Sequence, residues 1–200
     1  MDSFNLENQN SDINSKIVVA FELISQVFRI NLWNIQKEYK ISPIQTQMMI
    51  FLNSHSYELC TVTQLSKEFN ITKATVSDSI RVLIKKDYLY KKIEKNDSRI
   101  FYLFLTDYGK DLVAKLDGFS DSLHNSLLNL KVKDKKNMFD NFVTIISNLQ
   151  DSGSISERRM CSKCQFYRFI SDQTFHCSFM EKKLRNINFR LDCSEFKAKV

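Results

Sequence analysis

Residues 71–99, ITKATVSDSIRVLIKKDYLYKKIEKNDSR, constrain the fold more than any other stretch, because they read as an amphipathic helix running straight into a charged β-hairpin. Thr72 is a good N-cap. Val76, Ile80, Val82, Leu83 and Ile84 recur near helical spacing, so one face buries while Lys73, Thr75, Ser77 and Arg81 stay on the other. The strand candidates 89–93 and 100–105 flank Glu94, Lys95, Asn96, Asp97, Ser98 and Arg99, which gives a hairpin tip carrying cations. A helix, a turn and a basic hairpin in that order make a winged helix. Its exposed helix face is short, polar and basic, as a major-groove reader's should be.

The flanking segments complete such a module. Residues 1–12 are polar and Asn-rich and read as a flexible tail. Ile17, Phe21, Ile24, Phe28, Leu32 and Ile35 step by three or four, which predicts a long amphipathic helix to about Tyr39. Ser42, Pro43 and Gln45 supply the N-cap, N1 proline and capping-box partner of a second helix carrying Met48, Met49, Phe51 and Leu52. Trp33, Met48 and Met49 sit on apolar helix faces, where packing is the ordinary role. Residues 58–61 read as a short strand that buries Cys60. Thr61 and Gln64 then repeat the capping-box pattern for VTQLSKEF, and Asn70 stands where the turn needs a left-handed residue. The next helix follows at once, as a helix-turn-helix requires.

Past the hairpin, Thr106 caps a helix whose seam runs through Leu112, Leu116, Phe119, Leu123, Leu127 and Leu130. Met138, Phe142, Ile145 and Leu149 trace another, with the split expected at 131–134. Long helices at both ends exceed what a small winged module needs, so the surplus surface predicts pairing with a second copy. DSGSISERR, residues 151–159, is a shift toward linker character. The expected division is a tail over 1–12, a winged-helix DNA-binding and dimerisation domain over 13–150, and a cysteine-rich metal-binding tail over 151–200. The fold class is mainly α with a small β wing, and only three Gly and one Pro in 200 residues agree with that.

A net charge of +6 suits a polyanionic partner, though only modestly. No apolar run approaches the roughly 18 residues of a membrane span, and the start lacks a signal peptide's pattern. A cytoplasmic location without membrane contact is therefore expected, and there five cysteines read as thiols or metal ligands rather than disulfides.

The element order, and above all NDSRIFYLFLTDYG, in which Asp97 and Arg99 run into a Leu-Thr-x-x-Gly helix start, resembles the MarR family of bacterial transcriptional regulators over residues 17–149. The resemblance implies a homodimer on double-stranded DNA, contacted by Thr72, Lys73, Thr75, Ser77 and Arg81, with Arg99 in a minor groove and Asp97 orienting basic side chains. It also implies a small-molecule effector between the DNA-binding and dimer lobes. Asn70 and Asp87 depart from the family's usual turn glycines. The residues agree independently: Lys73, Arg81, Lys85, Lys91, Lys92, Lys95 and Arg99 cluster in the helix and wing, where phosphate neutralisation supplies affinity and salt dependence. Thr72, Lys73 and Thr75 lie near the helix end that enters a groove, and Arg81, two turns in, is placed for a phosphate.

The tail lies outside that resemblance. Cys161 and Cys164 form a C-x-x-C pair, and Cys177 and Cys193 follow at wide spacing, enough to close a tetrahedral thiolate site in a segment too short for a large core. Zinc ribbons usually bring two such pairs with turn glycines. Here there is one pair, and Phe166, Tyr167, Phe169, Phe175, Phe179 and Phe196 are available to shield an iron-sulfur cluster. The cluster is the preferred reading, with structural zinc, scattered buried cysteines and a redox CSKC pair as alternatives. A cluster would make the chain a sensor of redox state, oxygen or iron. His176 stands beside Cys177 as a weaker ligand candidate, and His55 and His124 read as surface or satisfied core histidines.

The chain is not expected to be an enzyme. An enzyme gripping nucleic acid finds no support, since no Ser/His/Asp arrangement, phosphate loop or paired acidic motif is present. A winged-helix protein-interaction module without DNA binding is the other alternative.

Overall fold

The structure, a computed structural model, describes residues 2–94, 101–171, 174–184 and 188–199. Its helices up to the hairpin are α1 (Leu6–Ser11), α2 (Ile13–Tyr39), α3 (Pro43–Ser54), α4 (Val62–Phe69) and α5 (Lys73–Lys85). The hairpin strands β1 (Leu89–Ile93) and β2 (Phe101–Leu105) precede α6 (Asp107–Lys115), α7 (Asp121–Leu127) and α8 (Val132–Asp151). The tail adds β3 (Tyr167–Ser171), β4 (Thr174–Cys177) and β5 (Lys182–Leu184). This is a winged helix with an appended three-stranded sheet. The chain divides into two compact units, Met1–Ser54 with Asp78–Lys92 and Leu103–Ser126, and His55–Ser77 with Ile93–Tyr102 and Leu127–Val200.

In the first unit, Asp12 accepts hydrogen bonds from the N–H groups of Asn14 and Ser15, so α2 starts four residues before the first apolar position of its seam. The expected N-terminal tail contains the short α1, capped by Asn5 and burying nothing. The predicted capping box is present: Ser42 N–H donates to Gln45 Oε1 at 2.8 Å, and Gln45 N–H to Ser42 Oγ at 3.4 Å. Leu32, Ile35, Ile41, Met48, Met49, Phe51 and Leu52 then bury together with residues of α5, β1, β2 and α6 in this unit's core. The other half of the α2 seam does not bury, for Ile17, Ile24 and Phe28 remain exposed. Trp33 is 58% exposed, which corrects the expectation that it packs.

The helix start after the wing is built as its sequence implies. Thr106 Oγ1 accepts from Gly109 N–H at 2.9 Å and donates to Asp87 O at 2.5 Å, tying α6 to the turn before β1. A Cβ on Gly109 would stand 2.1 Å from Tyr88 O, so only glycine fits. The single helix expected through Leu130 is broken. Leu116 N–H bonds to both Leu112 O and Val113 O, the backbone tightens to a 3-10 turn over Asp117–Ser120, and α7 starts afresh. Gly118 sits at the break, where its poor helix propensity costs least.

In the second unit, the strand expected at 58–61 is instead a 3-10 turn, Tyr57–Leu59, closed by Leu59 N–H to Ser56 O and Cys60 N–H to Tyr57 O. Tyr57 meets Tyr102 edge-on at 5.2 Å, an aromatic contact in place of a ladder. Cys60 is 2% exposed and packs as expected. The tail pairs β3 with β4 and β4 with β5, both antiparallel, and Cys164 bridges to Ala198.

Candidate nucleic-acid interface and thiol cluster

The path from α4 into α5 is fixed by local chemistry. Thr61 Oγ1 caps α4 through Gln64 N–H, Asn70 takes the left-handed conformation at φ 50°, and Ser66 Oγ donates to Ile71 O at 2.6 Å. Thr72 Oγ1 accepts from Thr75 N–H at 3.1 Å and lies 2.9 Å from Thr75 Oγ1. Val76, Ile80 and Leu83 bury, which leaves Thr72, Lys73 and Thr75 exposed at the start of α5. Ser77 is half-buried and donates to Lys73 O, so its hydroxyl is engaged within the helix. These four belong to the second unit.

Arg81 is exposed in the first unit, but its Nη1 donates to Asp78 Oδ1 at 2.8 Å. Asp78 shares the polar face and partly cancels its charge. The signal was available, since an acid three residues before an arginine on a helix is a neighbour. Val82, expected to bury, is 40% exposed. It lines an open cleft of the first unit with Trp33, Lys37, Lys40 and Gln45. Lys91 and Lys92 are exposed on β1, whereas Lys95, Asp97 and Arg99 of the wing tip lie outside the described residues.

The tail brings all four of its cysteines to one chamber, lined also by Phe166, Tyr167, Phe179, Met180 and Leu184. Cys161 opens a 3-10 turn whose carbonyl accepts Cys164 N–H at 3.0 Å; Cys177 ends β4; Cys193 O accepts Phe196 N–H. Arg190 N–H donates to Cys161 Sγ at 3.2 Å, and its Nη1 lies 3.7 Å from Cys193 Sγ. Burial raises the Cys161 pKa against the Arg190 N–H, and the three neighbouring thiols raise it further. Burial also pushes the Tyr167 phenol up to about 12. Around the thiols, Tyr167 stacks on Phe175 at 4.6 Å and Phe166 meets Phe179 at 5.4 Å. Of the six aromatics expected to form a shield, Phe166, Tyr167 and Phe179 line the chamber and Phe175 stacks behind Tyr167, whereas Phe169 is 68% exposed and Phe196 lines a different cleft. His176 does not line the chamber, as strand alternation turns it away from Cys177. Among the described residues, no three His, Cys, Asp or Glu side chains are gathered at the spacing of ligands on a single metal ion.

The segment expected to be a free linker ends in an ion network that joins the buried Arg159 and Glu68 to the exposed Asp192. Arg159 is 7% exposed. Its Nε and Nη2 grip the Asp192 carboxylate at 2.7 and 2.9 Å, and its Nη1 donates to Glu68 Oε2 of α4 at 2.9 Å. Arg158 pairs with the other oxygen of Glu68. His55 Nε2 stands 2.8 Å from Asp192 Oδ2 and 3.2 Å from Arg159 Nη2. As a donor it satisfies the carboxylate, so the arginine is then a neighbour and not its hydrogen-bond partner. Burial would lower the Arg159 pKa, but the Asp192 and Glu68 carboxylates reverse the sign and raise it. Nothing in the spacing of 55, 68, 159 and 192 announces this network.

Residues 39–100 match the sequence model of the MarR family. Transcriptional regulator AdcR of Streptococcus pyogenes is 28% identical over 115 residues, spanning 56% of this chain and 76% of that protein. HTH-type transcriptional regulator SarZ of Staphylococcus epidermidis is 24% identical over 139 residues, spanning 68% and 92%. Among solved structures, Streptococcus pneumoniae FabT in complex with DNA superposes with a TM-score of 0.60 at 19% identity, over 70% of this chain and 99% of that one. Staphylococcus aureus MepR in its DNA-binding conformation gives 0.58 at 24% identity, over 67% and 98%. The likenesses to solved structures establish the winged-helix fold.

Proposed function

We propose that the chain is a MarR-family regulator of transcription that binds double-stranded DNA as a homodimer and carries an iron-sulfur cluster on its four tail cysteines. One observation carries the DNA reading: an α5 anchored by the buried Val76, Ile80 and Leu83, whose capped N-terminal turn presents Thr72, Lys73 and Thr75 outward, inside a region matching that family. Arg81 reaches a phosphate once Asp78 releases it, and the sequence adds the cations Lys95 and Arg99 between the two hairpin strands.

The homodimer is supported by the exposed apolar positions of α2, Ile13, Ile17, Val18, Ile24 and Phe28, which a lone chain leaves in water. The cleft holding Trp33 and Val82 under Lys37 and Lys40 suits a small effector with an apolar body and an acidic group.

The cluster is preferred to zinc for its surroundings: Cys161, Cys164, Cys177 and Cys193 line one chamber with Phe166, Tyr167, Phe179 and Leu184, apolar groups that would keep water from a cluster. A bound cluster supplies one-electron chemistry and a dependence on iron and oxygen, while the chain's residues exclude water and donate N–H bonds to sulfur. Electrophoretic mobility shifts with the DNA upstream of the chain's own gene test the regulator reading, and anaerobic absorption spectra with iron and sulfide analysis test the cluster. Stoichiometric zinc without a visible chromophore would establish a structural site instead.

A further inference from the structure

We propose that Arg159, with Asp192 and Glu68, is the latch through which the four-thiol site controls the helix-turn-helix. This rests on the metal-bearing reading of the tail and names how its state reaches the DNA-facing helix.

The latch is built from residues adjoining the thiols in sequence and the turn in space. Arg159 precedes Cys161 by two residues, with the fully buried Met160 between them, and Asp192 immediately precedes Cys193. The two segments are cross-tied at the site itself, since Cys161 N–H donates to Arg190 O at 3.0 Å and Arg190 N–H returns to Cys161 Sγ. A group held by Cys161 and Cys193 draws both segments to one centre. That sets the Asp192 carboxylate squarely against the guanidinium, a planar two-point pairing with little tolerance for displacement.

The other end of the guanidinium holds the helix-turn-helix. Glu68 sits in the last turn of α4, 9% exposed, two residues before the left-handed Asn70. Beyond it, Ser66 Oγ on Ile71 O and the Thr72 cap lead directly to Lys73 and Thr75. All of these residues belong to the second unit. Releasing Cys193 withdraws Asp192, leaves two arginines on Glu68, and loosens the last turn of α4, whose position sets the entry of α5. Two arrangements of one ion network, centred on the buried Arg159, thus correspond to two states of the thiol site.

The test is amide hydrogen exchange over residues 62–77 in the full-length protein, loaded anaerobically with ferrous iron and sulfide or stripped with chelator, with iron content measured in each sample. The wild type should exchange about tenfold more slowly at the α4–α5 turn when loaded. Glu68→Gln and Asp192→Asn should load the same iron while the difference shrinks to about twofold or less. Asp192→Asn keeps its shape outside α4, so it serves if Glu68→Gln fails to fold. Variants that load iron and keep the wild-type difference overturn the latch, as does a loaded wild type that exchanges like the stripped one. A wild type that takes up no iron fails at the metal analysis, which sinks the cluster reading and the latch with it.

Discussion

The guanidinium of Arg159 and the carboxylate of Asp192 meet in a two-point contact, Nε to Oδ1 at 2.7 Å and Nη2 to Oδ2 at 2.9 Å, 33 residues apart in the chain. The remaining nitrogen reaches Glu68, so one buried cation is shared between the tail and α4. Arg159→Met removes the cation and leaves Glu68 with Arg158 alone. We expect a loss of about 1–3 kcal/mol, the scale for leaving buried polar groups short of a partner, since Glu68 keeps Arg158 and Asp192 is 45% exposed, read by chemical denaturation. Replacing Glu68 and Arg159 together with apolar residues should cost less than the sum of the two single replacements, because each single change leaves the other buried group short of a partner.

Gly109→Ala should destabilise by about 2 kcal/mol or more, although alanine is the better helix former. The added methyl would stand 2.1 Å from the Tyr88 carbonyl, which backbone must move to relieve. Thermal unfolding checks it, with Gly118→Ala as a control whose new methyl meets nothing closer than 3.4 Å.

Cys60 should resist alkylation in the native protein. Burial pushes its thiol from 9.0 to about 11, with Glu58 adding to the shift. A folded value above the unfolded one means the contribution to stability is full below about pH 9 and is lost as pH rises toward 11. Iodoacetamide labelling with peptide mapping at pH 8 should leave Cys60 unmodified. Cys60→Ala should remove the matching part of the alkaline stability loss.

Asp78→Asn should tighten DNA binding by a few fold. The exposed pair with Arg81 is worth only about 0–1 kcal/mol to folding, so stability should barely change while Arg81 is freed for phosphate. In the same titration Arg81→Ala should flatten the salt dependence by about one unit of slope per protomer.

Much of the winged module was legible because its signals are local. Caps at Ser42, Thr61, Thr72 and Thr106 and the left-handed turn at Asn70 are each decided within a few residues, and all stand where the pattern put them. What was not legible depended on distance. Val82 fits the helical period of α5, but the period alone could not tell that its sector of the helix meets a cleft. Residues 58–61 carry strand-forming types, yet Tyr57 found Tyr102 and the backbone closed into a 3-10 turn. In the tail, the cysteine spacing pointed to convergence, and all four thiols share one chamber. The antiparallel sheet that brings them there went unread, as did the role of Arg159 in a stretch that looks like linker.

The measurement that bears most directly on the central claim is the affinity of the full-length protein for the DNA upstream of its own gene, followed by fluorescence anisotropy across salt concentrations, with Lys73→Ala alongside. We predict a linear fall of log affinity with log salt, with a slope of about −4 to −6 for a dimer neutralising roughly five or six phosphates, and a shallower slope for Lys73→Ala. Binding that is absent, or whose salt dependence is the same in Lys73→Ala as in the wild type, would contradict the assignment of α5 to a DNA groove.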